Sequence, residues 1–209
     1  MDLSAAKCGC NSALYILRMP GRNEDGSLRP TQGHDYYCDA NGIGAFCPDF
    51  DIMEANTYAW QSTPHKCNAP SAKGFYDGCD GQGQCKQKAH EQGSYGPGKK
   101  LDTTKPFTAK MTFDWETHFT TELTQGNYTL TMNSDCSNYY PGIAGDLEHG
   151  MTIAMSSWGS VGTDMSWLDG ATGCKEQCDS NPDLYISDIK ITTGKKPAPK
   201  PLSIGDLTS

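Results

Sequence analysis

The sequence predicts an all-β fold, an antiparallel β-sandwich pinned by disulfides. Three observations predict it. Short runs of β-branched, aromatic and aliphatic residues recur between Gly, Asn, Asp and Pro, as strands do between turns. The chain holds 23 Gly and 12 Pro against a hydrophobic share of only 36%, which suits a loop-rich β protein and makes long helices unexpected. Ten cysteines are scattered along all 209 residues. This length fits one domain with a core of its own.

In chain order, the strand-like runs are residues 13–17, 107–113, 128–132 and 151–155, each closed off by turn-forming residues. Residues 184–191 alternate apolar and polar in their second half, the pattern of a half-buried strand. Between residues 68 and 98 the chain is Gly-rich, carries Cys79 and Cys85 and lacks periodicity, so it reads as a disulfide-pinned loop region bearing functional surface. The domain is expected to span residues 1–194. Residues 195–209, opening Lys-Lys-Pro-Ala-Pro-Lys-Pro, read as a linker or tail outside the core.

Cys8, Cys10, Cys38, Cys47, Cys67, Cys79, Cys85, Cys136, Cys174 and Cys178 form an even set, so disulfides in an oxidising compartment are the economical reading. Zinc is the rival reading, but the Cys-x-x-Cys knuckles of structural zinc sites are missing, and no metal or other cofactor is expected. Residues 1–7 lack the apolar stretch of a secretion signal. No apolar run is long enough to cross a membrane as a helix. A formal charge of −8 argues against nucleic acid and anionic membranes as partners, whereas a neutral glycan suits an acidic surface. The sequon Asn127-Tyr128-Thr129 fits a secreted, extracellular glycoprotein.

The densest chemical signal is Cys47-Pro48-Asp49-Phe50-Asp51-Ile52-Met53-Glu54-Ala55-Asn56, followed by Thr63-Pro64-His65-Lys66-Cys67. On a regular strand Asp49 and Asp51 share a face and Glu54 points to the other. Only a bulge brings all three together, and bulges re-aim side chains near active sites in this way. The plainer reading of such a segment is a solvated acidic edge strand.

The wider pattern resembles glycoside hydrolase family 7, the cellobiohydrolases and endoglucanases. Asp49-x-Asp51-x-x-Glu54-Ala55-Asn56 with Thr63-Pro64-His65-x-Cys67 is similar to that family's Glu-x-Asp-x-x-Glu-Ala-Asn and Thr-Pro-His-x-Cys, departing at Asp49. Further family-like stretches are Cys8-Gly9-Cys10-Asn11-Ser12-Ala13-Leu14-Tyr15, Tyr37-Cys38-Asp39, Tyr95-Gly96-Pro97-Gly98 and Leu101-Asp102-Thr103-Thr104-Lys105, with Trp158 and Trp167 nine residues apart. The resemblance runs from about residue 2 to 194. It implies a concanavalin A-like jelly roll lacking about the first third of the family domain. It also implies the pairs Cys38–Cys47, Cys67–Cys79 and Cys85–Cys136. Cys8 and Cys10 are left to pair with Cys174 and Cys178 in either arrangement.

The resemblance further implies endo-acting, retaining hydrolysis of β-1,4-glucosidic bonds in cellulose or a related β-glucan by a monomeric enzyme. Asp49 would be the nucleophile, Glu54 the acid/base, Asp51 the group between them and His65 a support for Glu54; for His65, packing near a disulfide is the rival reading. Trp158 and Trp167 would stack on glucose rings, with core packing the rival, while Asn11, Tyr15, Tyr37 and Asp39 would line the cleft. Trp60 and Trp115 read as structural. Asp49 is one methylene shorter than the family's Glu, which widens the carboxyl gap by roughly 1 to 1.5 Å towards the inverting spacing. Gly74 and Ala171 stand where the family grips product with arginine, and only eight residues separate Cys38 from Cys47; both favour cutting within chains over processive action. The competing readings are a non-catalytic glycan binder or inactive remnant, and, more distantly, a sandwich glucanase acting on mixed-linkage or β-1,3 glucan.

Overall fold

The structure is a computed structural model that describes residues 1–114, 117–159, 164–178 and 183–194. In chain order its elements are β1 (Asn11–Leu17), β2 (Asp49–Ala55), β3 (Trp60–His65), β4 (Gln87–Lys88), β5 (Tyr95–Gly96), β6 (Leu101–Asp102), β7 (Thr108–Phe113), β8 (Phe119–Gln125), β9 (Tyr128–Asn133), α1 (Pro141–His149), β10 (Thr152–Trp158) and α2 (Ser166–Asp169). The larger sheet has the order β10-β1-β2-β3-β4 and the smaller one β7-β8-β9, both antiparallel, while β5 and β6 form a two-residue parallel ladder.

The two sheets meet through apolar residues placed by strand periodicity. Met53 and Ala55 of β2 and Trp60 of β3 pack with Leu123 of β8 and with Leu130 and Met132 of β9. Phe50 meets the edges of Phe113 and Phe119 at centroid distances of 5.1 and 4.8 Å, in a second cluster closed by Tyr139, Tyr140 and Ile143 at the start of α1. The other face of β1 presents Ala13, Tyr15 and Leu17, a separate cluster away from the inter-sheet core. Strands β1 to β3 of the larger sheet are therefore largely buried on both faces, and the face turned from the smaller sheet carries the polar residues of interest.

Five disulfides are present: Cys8–Cys174, Cys10–Cys178, Cys38–Cys47, Cys67–Cys79 and Cys85–Cys136. They resolve the open choice for Cys8 and Cys10. Two local expectations differ from the structure. Residues 184–191 form no strand; Tyr185 makes one bridge to Asp2, Leu184 and Ile186 touch the core, and Ile189 and Ile191 stay exposed because no strand pairs with them. Residues 141–149 form a nine-residue helix that sequence periodicity did not announce. Trp60 is buried, with its Nε1 donating to Ser62 Oγ. Trp115 and the tail 195–209 lie outside the described residues.

Candidate active site

The site is built on β2. Its register against β1 shifts between Leu14 and Tyr15, where Leu14 faces Met53 and Tyr15 faces Asp51, so Ile52 is the extra residue of a bulge. The register against β3 shifts between Asp51 and Glu54 as well. Ile52 and Met53 consequently both pack into the core. This restores Glu54 to the face already occupied by Asp49 and Asp51, the convergence that the sequence spacing requires. Across β3, His65 stands opposite Asp49, Thr63 opposite Asp51 and Gln61 opposite Glu54.

All three carboxyls are buried, at 5, 6 and 8% exposure for Asp49, Asp51 and Glu54. Asp49 Oδ1 accepts the backbone N–H of Ala40 at 3.1 Å, within the loop closed by Cys38–Cys47. Asp51 Oδ2 lies 3.0 Å from His65 Nε2. His65 Nδ1 lies 2.8 Å from the Asp80 carbonyl oxygen, which can only accept, so Nδ1 carries a proton and a single proton is shared between Nε2 and Asp51. Glu54 Oε1 accepts from Asn11 Nδ2 at 3.0 Å and from the Tyr15 hydroxyl at 3.2 Å. Asn11 Oδ1 in turn accepts the Ala55 N–H, fixing which way its amide points.

Burial dominates the electrostatics. It pushes Asp51 up to about 8 against the opposing hydrogen bond from Glu54. It pushes Glu54 up to about 8, aided by the Asp51 charge and opposed by the donors Asn11 and Tyr15. Asp49 is also held well above the ordinary carboxylate range by burial and the Asp51 charge, with His65 and the Ala40 N–H opposing. Three desolvated carboxyls on one strand cannot all ionise at neutral pH, so the cluster retains protons. Retained protons are what a general acid needs.

The remaining sequence candidates fall around this cluster. Asp39 is buried, accepts the Ile43 N–H at 3.0 Å and bonds Tyr37, whose hydroxyl is pushed up by burial and by the charges of Asp39 and Asp49. Trp158, opposite Asn11 on β10, sends its Nε1 to the Tyr15 hydroxyl at 3.4 Å. Trp167 on α2 lies beside it, with ring centroids 6.2 Å apart and an interplanar angle of 23°. The two rings stack on each other and are 39 and 41% exposed, so neither is a core residue. Asp49, Asp51 and His65 also bring one ligand-capable atom each within 4.8 Å of one another, the arrangement a cation would need. In the other such group among the described residues, Cys8 and Cys174 are joined to each other.

Sequence reasoning missed Gln61. It is 3% exposed, its Nε2 donates to Thr63 Oγ1, and its Oε1 has no partner. The signal was available, since Gln61, Thr63 and His65 share one face by the period of two. The Ala40 N–H and the Asp80 carbonyl are backbone groups and leave no trace in residue type.

An antiparallel two-sheet domain with clustered, proton-retaining carboxyls on one face of its larger sheet defines the structural class. Comparison with known proteins supplies the family. Residues 29–130 match the model of glycosyl hydrolase family 7. The probable endo-beta-1,4-glucanase celB of Aspergillus clavatus is 30% identical over 93% of this chain and 60% of its own length. The endoglucanase EG-1 of Hypocrea jecorina is 30% identical over 90% of this chain and 48% of its own. Among solved structures, an endoglucanase I complexed with cellobiose superposes with a TM-score of 0.66 at 26% identity, over 85% of this chain and 59% of that one. A cellobiohydrolase from Daphnia pulex shares the fold with a TM-score of 0.62 at 21% identity, over 87% of this chain and 62% of that one. The chain belongs to glycoside hydrolase family 7. It spans about half to 60% of the length of these curated relatives.

Proposed function

We propose that the chain hydrolyses β-1,4-glucosidic bonds within cellulose or related β-glucan chains by a retaining double displacement. The observation that carries this reading is the bulge at Ile52, which brings Asp49, Asp51 and Glu54 to one face beside His65. In the first step Asp49 attacks the anomeric carbon while Glu54 gives its proton to the leaving oxygen. In the second, Glu54 takes a proton from water, which attacks the same carbon and releases Asp49. Asp51 sits between them and shares a proton with His65, so it can adjust its charge as the other two exchange theirs.

Endo action is favoured by the endoglucanase relatives and by the short Cys38–Cys47 loop. Trp158 and Trp167 offer exposed aromatic surface beside the cluster for sugar rings. Cello-oligosaccharides are the small ligands to try, since solved relatives carry cellobiose and cellotetraose. The disulfides suit an extracellular protein, and the sequon residue Asn127 is exposed in the turn between β8 and β9, where a glycan could be attached. The Pro/Lys-rich residues 195–209 fit a linker after the catalytic domain.

A second reading is a glycan binder that has lost turnover. It is favoured by one observation, the short Asp49 side chain, whose carboxyl burial holds well above the ordinary carboxylate range. Turnover of a labelled cello-oligosaccharide by the purified chain and its Glu54→Gln variant separates the two. Turnover lost in the variant supports the enzyme; binding to glycan without turnover in either protein supports the binder.

A further inference from the structure

Trp158 is an exposed aromatic of the site whose polar atom points inward. Its indole Nε1 lies 3.4 Å from the Tyr15 hydroxyl, and that hydroxyl lies 3.2 Å from Glu54 Oε1. An indole nitrogen can only donate, so the Tyr15 oxygen is the acceptor in the first bond. The single proton of Tyr15 is then free for one partner, and the partner in reach is Glu54. Asn11 gives Glu54 Oε1 its second donor, with the amide orientation set by the Ala55 N–H. An oxygen receiving two donors is a poor place for the carboxyl proton, which is left to Oε2.

We propose that Trp158 is a positioning residue for Glu54, its indole N–H locking the Tyr15 hydroxyl so that Tyr15 donates to Glu54 Oε1 and the transferable proton resides on Oε2. The assignment rests on the reading of Glu54 as the acid/base and adds to it a link with the aromatic surface. Trp158 is stacked on Trp167 and partly exposed. A ring that tilts to receive a sugar moves the N–H holding Tyr15, so occupancy of that surface is felt at Glu54. The other groups acting on Glu54 are Asp51 of the same strand and His65 of β3, while Asp39 acts from the segment before β2 on Asp49 and Asp51. None of these is changed by removing the indole N–H.

The test is a carbon-13 NMR titration of the Glu54 carboxyl in the whole chain, labelled at glutamate, beside Tyr15→Phe and Trp158→Phe. A benzothienylalanine replacement of Trp158 serves as second variant, because it keeps the two-ring shape and lacks the N–H. Loss of a donor raises the titration point. Tyr15→Phe should raise it by about half a unit to one unit, and both Trp158 replacements should raise it by a smaller amount in the same direction. With Tyr15→Phe already present, replacing Trp158 should add nothing. An unchanged titration point in the benzothienylalanine protein, or an additive shift in the double variant, would overturn the proposal. The readout needs no turnover, so an inactive wild-type chain would count against the proposed function and leave this result standing.

Discussion

Ile52 and Met53 are neighbours on β2, yet both pack into the core between the sheets. The pair marks the place on β2 where strand alternation is suspended, and the face on which Glu54 emerges depends on it. Deleting Ile52 removes the extra residue and leaves Asp51, Met53 and Glu54 in strict alternation, so Glu54 stays on the face of Asp49 and Asp51. The expected result is a cooperative unfolding transition at lower denaturant concentration, because the Ile52 side chain is lost from the core. Ile52→Val, which keeps the extra residue, should cost only about 0.5 to 1.5 kcal/mol in denaturant unfolding.

Asp49 is where the chain departs from its family pattern. Asp49→Glu restores the missing methylene, and misplacement by about 1 Å costs on the order of 100-fold in rate. Single-turnover kinetics on a cello-oligosaccharide with an activated leaving group should therefore show a faster glycosylation step in Asp49→Glu. An equal or slower step would mean that nucleophile length does not limit the reaction.

The raised carboxyls fix the shape of the pH profile. Turnover needs Asp49 ionised and Glu54 protonated, so kcat/KM should climb through a limb well above the ordinary carboxylate range and fall as Glu54 loses its proton near pH 8. The same shifts set stability. The folded values of Asp51 and Glu54, about 8, exceed their unfolded values of 3.8 and 4.5, so the unfolded chain binds fewer protons across that interval. The stabilisation is complete below about pH 4 and is lost as pH rises through 8. Thermal unfolding of the ligand-free chain should show this fall, and Asp51→Asn should flatten it.

Phe50, on the core side of β2 between Asp49 and Asp51, is fully buried against Phe113 and Phe119. Phe50→Ala should cost about 3 to 5 kcal/mol in denaturant unfolding. Phe50→Leu, which keeps most of the volume, should cost much less and leave the acidic face in place.

The parts of the fold legible in the sequence are those whose apolar residues alternate visibly. β1, β7, β9 and β10 fall on predicted runs, while β8 went unread because Phe-Thr-Thr-Glu-Leu-Thr-Gln carries only two large apolar residues on its buried face. The helix α1 contains Gly142 and Gly145 and buries only Ile143, so its period is weak. Residues 184–191 show the opposite failure, since alternation describes a strand's preference and cannot supply the strand it would pair with. At the site, the spacing of Asp49, Asp51 and Glu54 announced a bulge on β2. The parts contributed by register, such as Gln61 opposite Glu54, or by backbone, such as the Asp80 carbonyl that orients His65, become visible only when strands are laid side by side.

The central claim is that Asp49 and Glu54 act together on a β-1,4-glucan. The most direct measurement is hydrolysis of carboxymethylcellulose and a labelled cello-oligosaccharide by the purified, disulfide-bonded chain beside Glu54→Gln. The account predicts slow release of reducing ends with cuts inside the chain, abolished in Glu54→Gln. No release by the folded chain at any pH between 4 and 9, or release unaffected by Glu54→Gln, would contradict it.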